Sequence, residues 1–295
     1  MREFEYRKVS TLQDAFRLLE EHGEGARILA GGTDLLVKMR NRILTPRLLI
    51  DLKGVPDLEA ISYDPESGLR IGALTTIHRM ETSPLLREKF GVIAQAASSL
   101  GSYQIRCRAT LGGNLCNASP AADMIPCFIS LGAKAEIAGP KRERFLPLED
   151  FFAAPGRTHL RPGEILTAVQ VPQLSELTGT HYAKHSIRKA MDLAVVGVAV
   201  ALSFDLGRER CSDAKIALGA VGPIPFRATR AESCLRSQRM DEELISQAAL
   251  LASEEAQPIS DIRASGEYRK EMVRVVTHRA LKQAWTNLLE GRTPS

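Results

Sequence analysis

Two glycine pairs constrain this chain more than any other feature. One lies in Leu29–Leu36, LAGGTDLL, and the other in Thr110–Asp123, TLGGNLCNASPAAD. Glycine loses more backbone freedom on ordering than other residues and supplies nothing to pack, so the interior of a core strand is a poor place for two in a row. A solvent loop, in turn, does not need so many small apolar neighbours. The use that remains is a bend whose backbone comes close to a ligand and offers it N–H groups, and such groups bind anions. The second stretch adds a small polar cluster, Asn117, Ala118, Ser119 and Pro120, and closes on Asp123. Either pair alone would pass as an ordinary turn. Two pairs carrying Thr, Asn and Asp read as halves of one clamp on a phosphate-bearing cofactor.

The surroundings of the first pair read as a βαβ unit. Phe4, Tyr6 and Val9 mark an edge strand, and Thr11 caps a helix with Leu12, Ala15, Phe16 and Leu19 at helical spacing, ended by Gly23 and Gly25. Ala26–Ala30 is a short strand. After Gly31-Gly32, Thr33 is expected to cap a helix over 34–40 with Leu35, Leu36 and Met39 on its buried side, and Leu48–Leu52 is the next strand. The dinucleotide pattern G-x-G-x-x-G and the phosphate-loop pattern G-x-x-x-x-G-K-[ST] are both missing.

Beyond residue 55 the pattern changes. Leu58–Tyr63 and Leu69–Ile71 read as paired strands, Thr76–Glu81 as a short helix, and Phe90–Leu100 as a helix with a small-residue face. Met124–Leu131 reads as a helix, Ala133–Ile137 and the Phe145 segment as a hairpin, and Gly163–Pro172 as a strand. Residues 173–180 read as a linker. Three strands follow, at His181–Ile187, Leu193–Phe204 and Ala214–Leu218, then two or three helices, notably Asp241–Glu254 and Glu267–Leu289. Met272, Val273, Val276, Ala280 and Ala284 line one face of the last. The arrangement is α+β, with units at 1–55, 56–173 and 178–290. A length of 295 residues suits two domains of roughly 150 residues each, or three smaller ones.

Composition narrows the function. The net charge of +4 is spread along the chain, and the one basic run, Lys141–Arg144, contains an acid and sits beside a Gly-Pro turn. With only 5% aromatic residues there is no platform for stacking bases, so nucleic acid is not expected. The N-terminus carries no signal-like apolar run, and nothing approaches the roughly 18 apolar residues of a membrane span, so a cytoplasmic location is expected. Five cysteines, Cys107, Cys116, Cys127, Cys211 and Cys234, include no C-x-x-C, which argues against disulfides, zinc or a cysteine-held cluster. His181 and His185 are four apart on a strand, a span of roughly 13 Å that one metal does not bridge. No nucleophile elbow occurs, and Glu242 and Glu243 read as solvated helix residues. The chain holds a ligand well and offers little acid–base or covalent chemistry, so the chemistry is expected from a cofactor.

The two glycine stretches resemble the FAD-binding motifs of the flavin subunits of molybdenum hydroxylases, the family of carbon monoxide dehydrogenase medium chains and xanthine dehydrogenase FAD subunits. EILTAVQVP at 164–172 and YAKHSIRKAMDLAVVGVAV at 182–200 resemble segments that follow in that family, and the likeness spans nearly the whole chain. It implies a two-part FAD-binding domain of the vanillyl-alcohol-oxidase (PCMH) type, a small βαβ region plus a mostly antiparallel region. A C-terminal domain with a three-stranded antiparallel sheet and helices would follow. It further implies that Leu29, Ala30, Gly31, Gly32, Thr33, Asp34, Leu35 and Leu36 wrap the FAD pyrophosphate by backbone N–H groups. Thr110, Leu111, Gly112, Gly113 and Asn114 would form the opposite wall, with the Thr110 and Asn114 side chains on phosphate or ribitol. Asp123 would accept from an FAD hydroxyl, Leu100 and Leu166 would pack on nucleotide or ring, and Lys184 would put positive charge at the pyrimidine edge. Ser119 and Asp192 are weaker candidates for ring contacts.

Two departures bear on the resemblance: Leu193 stands where carbon monoxide dehydrogenases carry an aromatic residue beside the flavin, and the four cysteines of relatives with an extra iron–sulfur cluster are missing. The implied role is electron transfer. A small subunit with two two-iron two-sulfur clusters and a large molybdopterin subunit would be partners, in a dimer of heterotrimers. The acceptor would be NAD, a quinone or another carrier. The rival readings are a stand-alone flavin-dependent oxidoreductase of the same fold and a non-catalytic nucleotide-binding protein.

Overall fold

The structure, a computed structural model, describes residues 1–188 and 190–291; Lys189, within the segment 182–200 quoted above, and residues 292–295 lie outside the described residues. Strand and helix alternate at the start: β1 (Glu5–Lys8), α1 (Leu12–His22), β2 (Ala26–Leu29), α2 (Leu35–Arg40) and β3 (Leu48–Asp51). The three strands form a parallel sheet in the order β1-β3-β2. Thr11 caps α1, its hydroxyl accepting the Asp14 N–H at 3.1 Å, and Gly23 closes the helix at φ 49°. Side chains alternate across β3: Leu48 and Ile50 pack with Ala15 and Phe16 of α1, whereas Leu49 packs with Leu29 and Met39 on the α2 side. Two details of α2 differ from expectation. Asp34, not Thr33, occupies the cap position, and the Thr33 hydroxyl bonds the Asp34 carboxylate instead. Leu36 is 38% exposed, because Leu35 and Met39 share the inward face and Leu36 stands about 100° around the helix from Leu35.

The second region holds β4 (Ile61–Asp64), β5 (Gly68–Gly72), α3 (Ile77–Thr82), α4 (Pro84–Lys89), α5 (Gly91–Ser98), α6 (Tyr103–Arg106), α7 (Leu111–Asn117), α8 (Met124–Ser130), β6 (Lys134–Ala138), β7 (Glu143–Pro147), β8 (Phe152–Ala154), β9 (Arg157–Thr158) and β10 (Ile165–Val171). Five strands make an antiparallel sheet in the order β4-β5-β10-β6-β7, and β8 and β9 pair apart from it. The apolar run of β10 is explained by its place in the middle of that sheet. Pro126 is tolerated in α8 because it sits in the first turn, where a missing N–H costs no helical bond.

The third region holds β11 (Thr178–His185), β12 (Val196–Phe204), β13 (Cys211–Gly219), β14 (Phe226–Arg227), α9 (Thr229–Leu235), α10 (Glu242–Glu255) and α11 (Gly266–Leu289). The three expected strands are joined at the edge by the two-residue β14, giving the order β11-β12-β13-β14. The expected linker is shorter than 173–180, since Thr178 already pairs with Ser203. In β12 large and small residues alternate. Val196, Val198, Val200, Leu202 and Phe204 pack with residues of α10 and α11, while Ala199 joins the core of the second region with Tyr182 and Ala217. The sheet is thus covered on both faces. Gly219 belongs to the close side, where a Cβ would lie 2.7 Å from Pro126.

Candidate cofactor-binding site

The first glycine pair ends β2 and leads into α2. Gly31 has no room for a side chain: a Cβ would lie 2.1 Å from the Arg108 carbonyl oxygen. Gly32 adopts φ 79°, which favours glycine. Between Gly31 and Leu35 no backbone N–H is hydrogen-bonded within the described residues; the first to be taken is that of Leu36, by the Gly32 carbonyl at 3.1 Å. A run of unpaired N–H groups on a concave backbone is an anion site.

The second pair is built differently. It does not form a tight turn. Thr110 caps α7, accepting the Gly113 N–H at 3.1 Å, and both glycines lie in the first helical turn. The Leu111 N–H goes to the Thr75 carbonyl at 3.0 Å, that of Gly112 to Ala73 at 2.7 Å, and that of Asn114 to Thr110 at 3.0 Å. Gly112 lets the helix press on a neighbouring segment, where a Cβ would sit 2.8 Å from the Ala73 Cβ. A Cβ on Gly113 would meet only the Thr110 hydroxyl, at 3.0 Å. The Asn114 side-chain oxygen is buried with no partner. This wall can therefore offer side chains and open space, while its amides are already engaged.

The two pairs lie together. Gly31 abuts the backbone of Arg108 and Ala109, immediately before Thr110. Asn117 of α7 donates to Asp34 at 3.0 Å and accepts from Lys38 at 2.6 Å, which ties α7 to α2.

Other residues singled out from the sequence lie in the second and third regions. Leu100 and Leu166 are 8% and 4% exposed and belong to the core of the second region. Asp123 is buried. It accepts from the Tyr182 hydroxyl and from Lys184, each at 3.0 Å, and burial pushes its carboxyl up against the pull of the Lys184 ammonium. Lys184 also donates to the carbonyls of Ser99 at 3.0 Å and Asp192 at 2.9 Å, so its three protons have protein acceptors. The Asp192 carboxylate accepts from the Arg188 and Leu193 N–H groups, and the Ser119 hydroxyl receives the Ala121 N–H. His181 faces Gln95 at 3.3 Å and His185 faces Tyr268 at 3.0 Å, so each ring has its own partner.

Two groups escaped the sequence reading. Arg106 holds Glu81 with two bonds of 2.8 and 3.2 Å and donates to the Leu100 carbonyl at 3.1 Å. Lys53 reaches both the Asp51 carboxylate and the Ala30 carbonyl, next to the first glycine turn. A buried acid at a strand end followed two residues later by lysine was the available signal.

Comparison with known proteins decides the family. The model of the FAD binding domain in molybdopterin dehydrogenase matches residues 2–174, and that of the CO dehydrogenase flavoprotein C-terminal domain matches residues 181–284. The chain belongs to the molybdopterin dehydrogenase flavoprotein family. It is 35% identical over 282 residues to the carbon monoxide dehydrogenase medium chain of Afipia carboxidovorans, covering 95% of this chain and 96% of the relative. It is 31% identical over 280 residues to the xanthine dehydrogenase FAD-binding subunit of Escherichia coli O157:H7, covering 95% of each. Among solved structures, a cyanide-inactivated Cu,Mo-CO dehydrogenase superposes with a TM-score of 0.92 at 34% identity, over 97% of this chain and 98% of that one. Quinoline 2-oxidoreductase from Pseudomonas putida 86 superposes at 0.91 and 32%, over 98% and 99%.

FAD is the cofactor of this family, and the site fits it. Free N–H groups suit a pyrophosphate, Gly113 leaves space, and the orphaned Asn114 oxygen awaits a donor. Among the described residues no cluster of three His, Cys, Asp or Glu could hold a metal, and no helix is long and apolar enough to cross a membrane.

Proposed function

We propose that this chain is the FAD-carrying electron-transfer subunit of a molybdenum-containing hydroxylase. The observation that carries the reading is the run of unpaired N–H groups from Gly31 to Leu35, set against Thr110–Asn114. In this reading those N–H groups hold the pyrophosphate, and Thr110 and Asn114 supply side-chain bonds on the other wall. Lys184, Asp123 and Tyr182 then act as a prearranged network: the ammonium already sits on three oxygens, so its charge reaches the ring edge from a fixed place. Leu100 and Leu166 back the pocket. FAD, when bound, supplies the redox chemistry, taking electrons from a partner's iron–sulfur clusters and passing them in pairs to NAD, a quinone or another acceptor.

The partners in this reading are a small subunit with two two-iron two-sulfur clusters and a large molybdopterin subunit, in a dimer of heterotrimers located in the cytoplasm. The functional units are 1–55 and 56–173, which share the cofactor, and 178–290, which closes against them.

Two measurements test this. The purified full-length chain, mixed with FAD, is expected to retain flavin absorption bands after gel filtration; absence of those bands overturns the reading. Capture of the chain from its own cells is expected to bring down an iron–sulfur protein and a molybdenum protein. Recovery of the chain alone with full substrate turnover would instead establish the stand-alone oxidoreductase.

A further inference from the structure

Asp51 poses a problem for an anion site. It ends β3, is 1% exposed, and pairs in register with Leu29, one residue before Ala30. Strand alternation puts it on the same face as Leu49, the face that carries Leu29, Met39 and the start of α2. A buried carboxylate there would repel a diphosphate. Three bonds answer it. The Tyr6 hydroxyl donates to one oxygen, and the Lys53 N–H and ammonium both donate to the other at 2.9 Å. Burial pushes the Asp51 carboxyl up, but the Tyr6 and Lys53 bonds outweigh it and hold the group below its ordinary range, so it is charged at neutral pH. The same ammonium lies 3.3 Å from the Ala30 carbonyl, the last acceptor before the free N–H groups begin.

We propose that Lys53 is a positioning residue for the phosphate-binding turn: it offsets the Asp51 charge and holds the Ala30 carbonyl, so that the N–H groups of Gly31 to Leu35 face an anion without an unpaired carboxylate behind them. This rests on the flavin reading above and adds a residue outside the two glycine motifs. Lys53 acts through Asp51 and the turn. It is not assigned contact with the reacting ring.

The test is a fluorescence titration of FAD into the deflavinated full-length chain, with folding followed by circular dichroism. Wild-type chain is expected to bind; failure of the wild type overturns the flavin reading and this inference with it. If it binds, Lys53→Met is expected to weaken FAD about tenfold, and Lys53→Arg, which keeps the charge, to stay near wild type. Adding Asp51→Asn to Lys53→Met removes the unmasked carboxylate and is expected to restore most of the affinity. A purely structural role would lower the melting temperature without that restoration. The gap between Lys53→Met and wild type is also expected to narrow as salt screens the charge. The inference fails if Lys53→Met binds like wild type, or if the double variant binds as weakly as Lys53→Met.

Discussion

The two glycine pairs share a sequence pattern and a close approach to a neighbouring segment, and differ in what they do with their N–H groups. At Gly31-Gly32 the backbone turns with a positive φ and leaves its N–H groups unpaired. At Gly112-Gly113 the backbone is helical, its N–H groups bond to Ala73, Thr75 and Thr110, and the missing side chain of Gly112 makes room for Ala73. One pair presents backbone, and the other brings an element close enough to present side chains. Glycine thus marks close approach, and what approaches has to be learned from the partner atoms.

Substitutions at each pair can break or sharpen this contrast. The largest effect is expected at Gly31→Ala, whose Cβ meets the fixed Arg108 carbonyl. Separation of the two segments should abolish flavin retention and lower stability by about 3 kcal/mol, read from the flavin-to-protein ratio and a urea melt. Gly112→Ala should cost about 1–3 kcal/mol in the same melt while the folded fraction keeps its flavin. A variant that loses flavin at unchanged stability would erase the distinction. Thr110→Ala removes the α7 cap and should cost about 1 kcal/mol, visible as a melting temperature a few degrees lower. Asn114→Ala removes an oxygen with no protein partner. The apoprotein should stay within about 0.5 kcal/mol of wild type, while FAD affinity by titration falls about tenfold.

Sequence reading went furthest where signals are local. Thr11 and Gly23 bracket α1 as expected, and of the expected stripe Val273, Val276, Ala280 and Ala284 are buried while Met272 is half-buried at its edge. It fell short where the answer lies across the fold. Nothing near Gly112 announces that Ala73 takes its N–H group and Thr75 takes that of Leu111. Nothing near Lys184 in the sequence announces the oxygens of Ser99, Asp123 and Asp192 that surround it. The two-residue β14 is too short to show a period of two, and the outward turn of Leu36 depends on where a six-residue helix starts. The Asp51–Lys53 pair was missed because one acid in LLIDL reads as the end of a strand, and only the register with Leu29 places it beside the turn.

The unlike faces of β12 constrain how such chains can be recombined. The family matches stop at 174 and resume at 181, inviting a cut there, yet Ala199 and Ala217 complete the hydrophobic interior begun by the preceding half. A graft of another relative's tail would bring its own relief of bumps and hollows to meet α5 and α8. Chimeras should succeed when the donor carries equally small residues opposite Pro126 and along that side of β12, whatever its overall identity, because the true seam runs through the sheet and not between two residues.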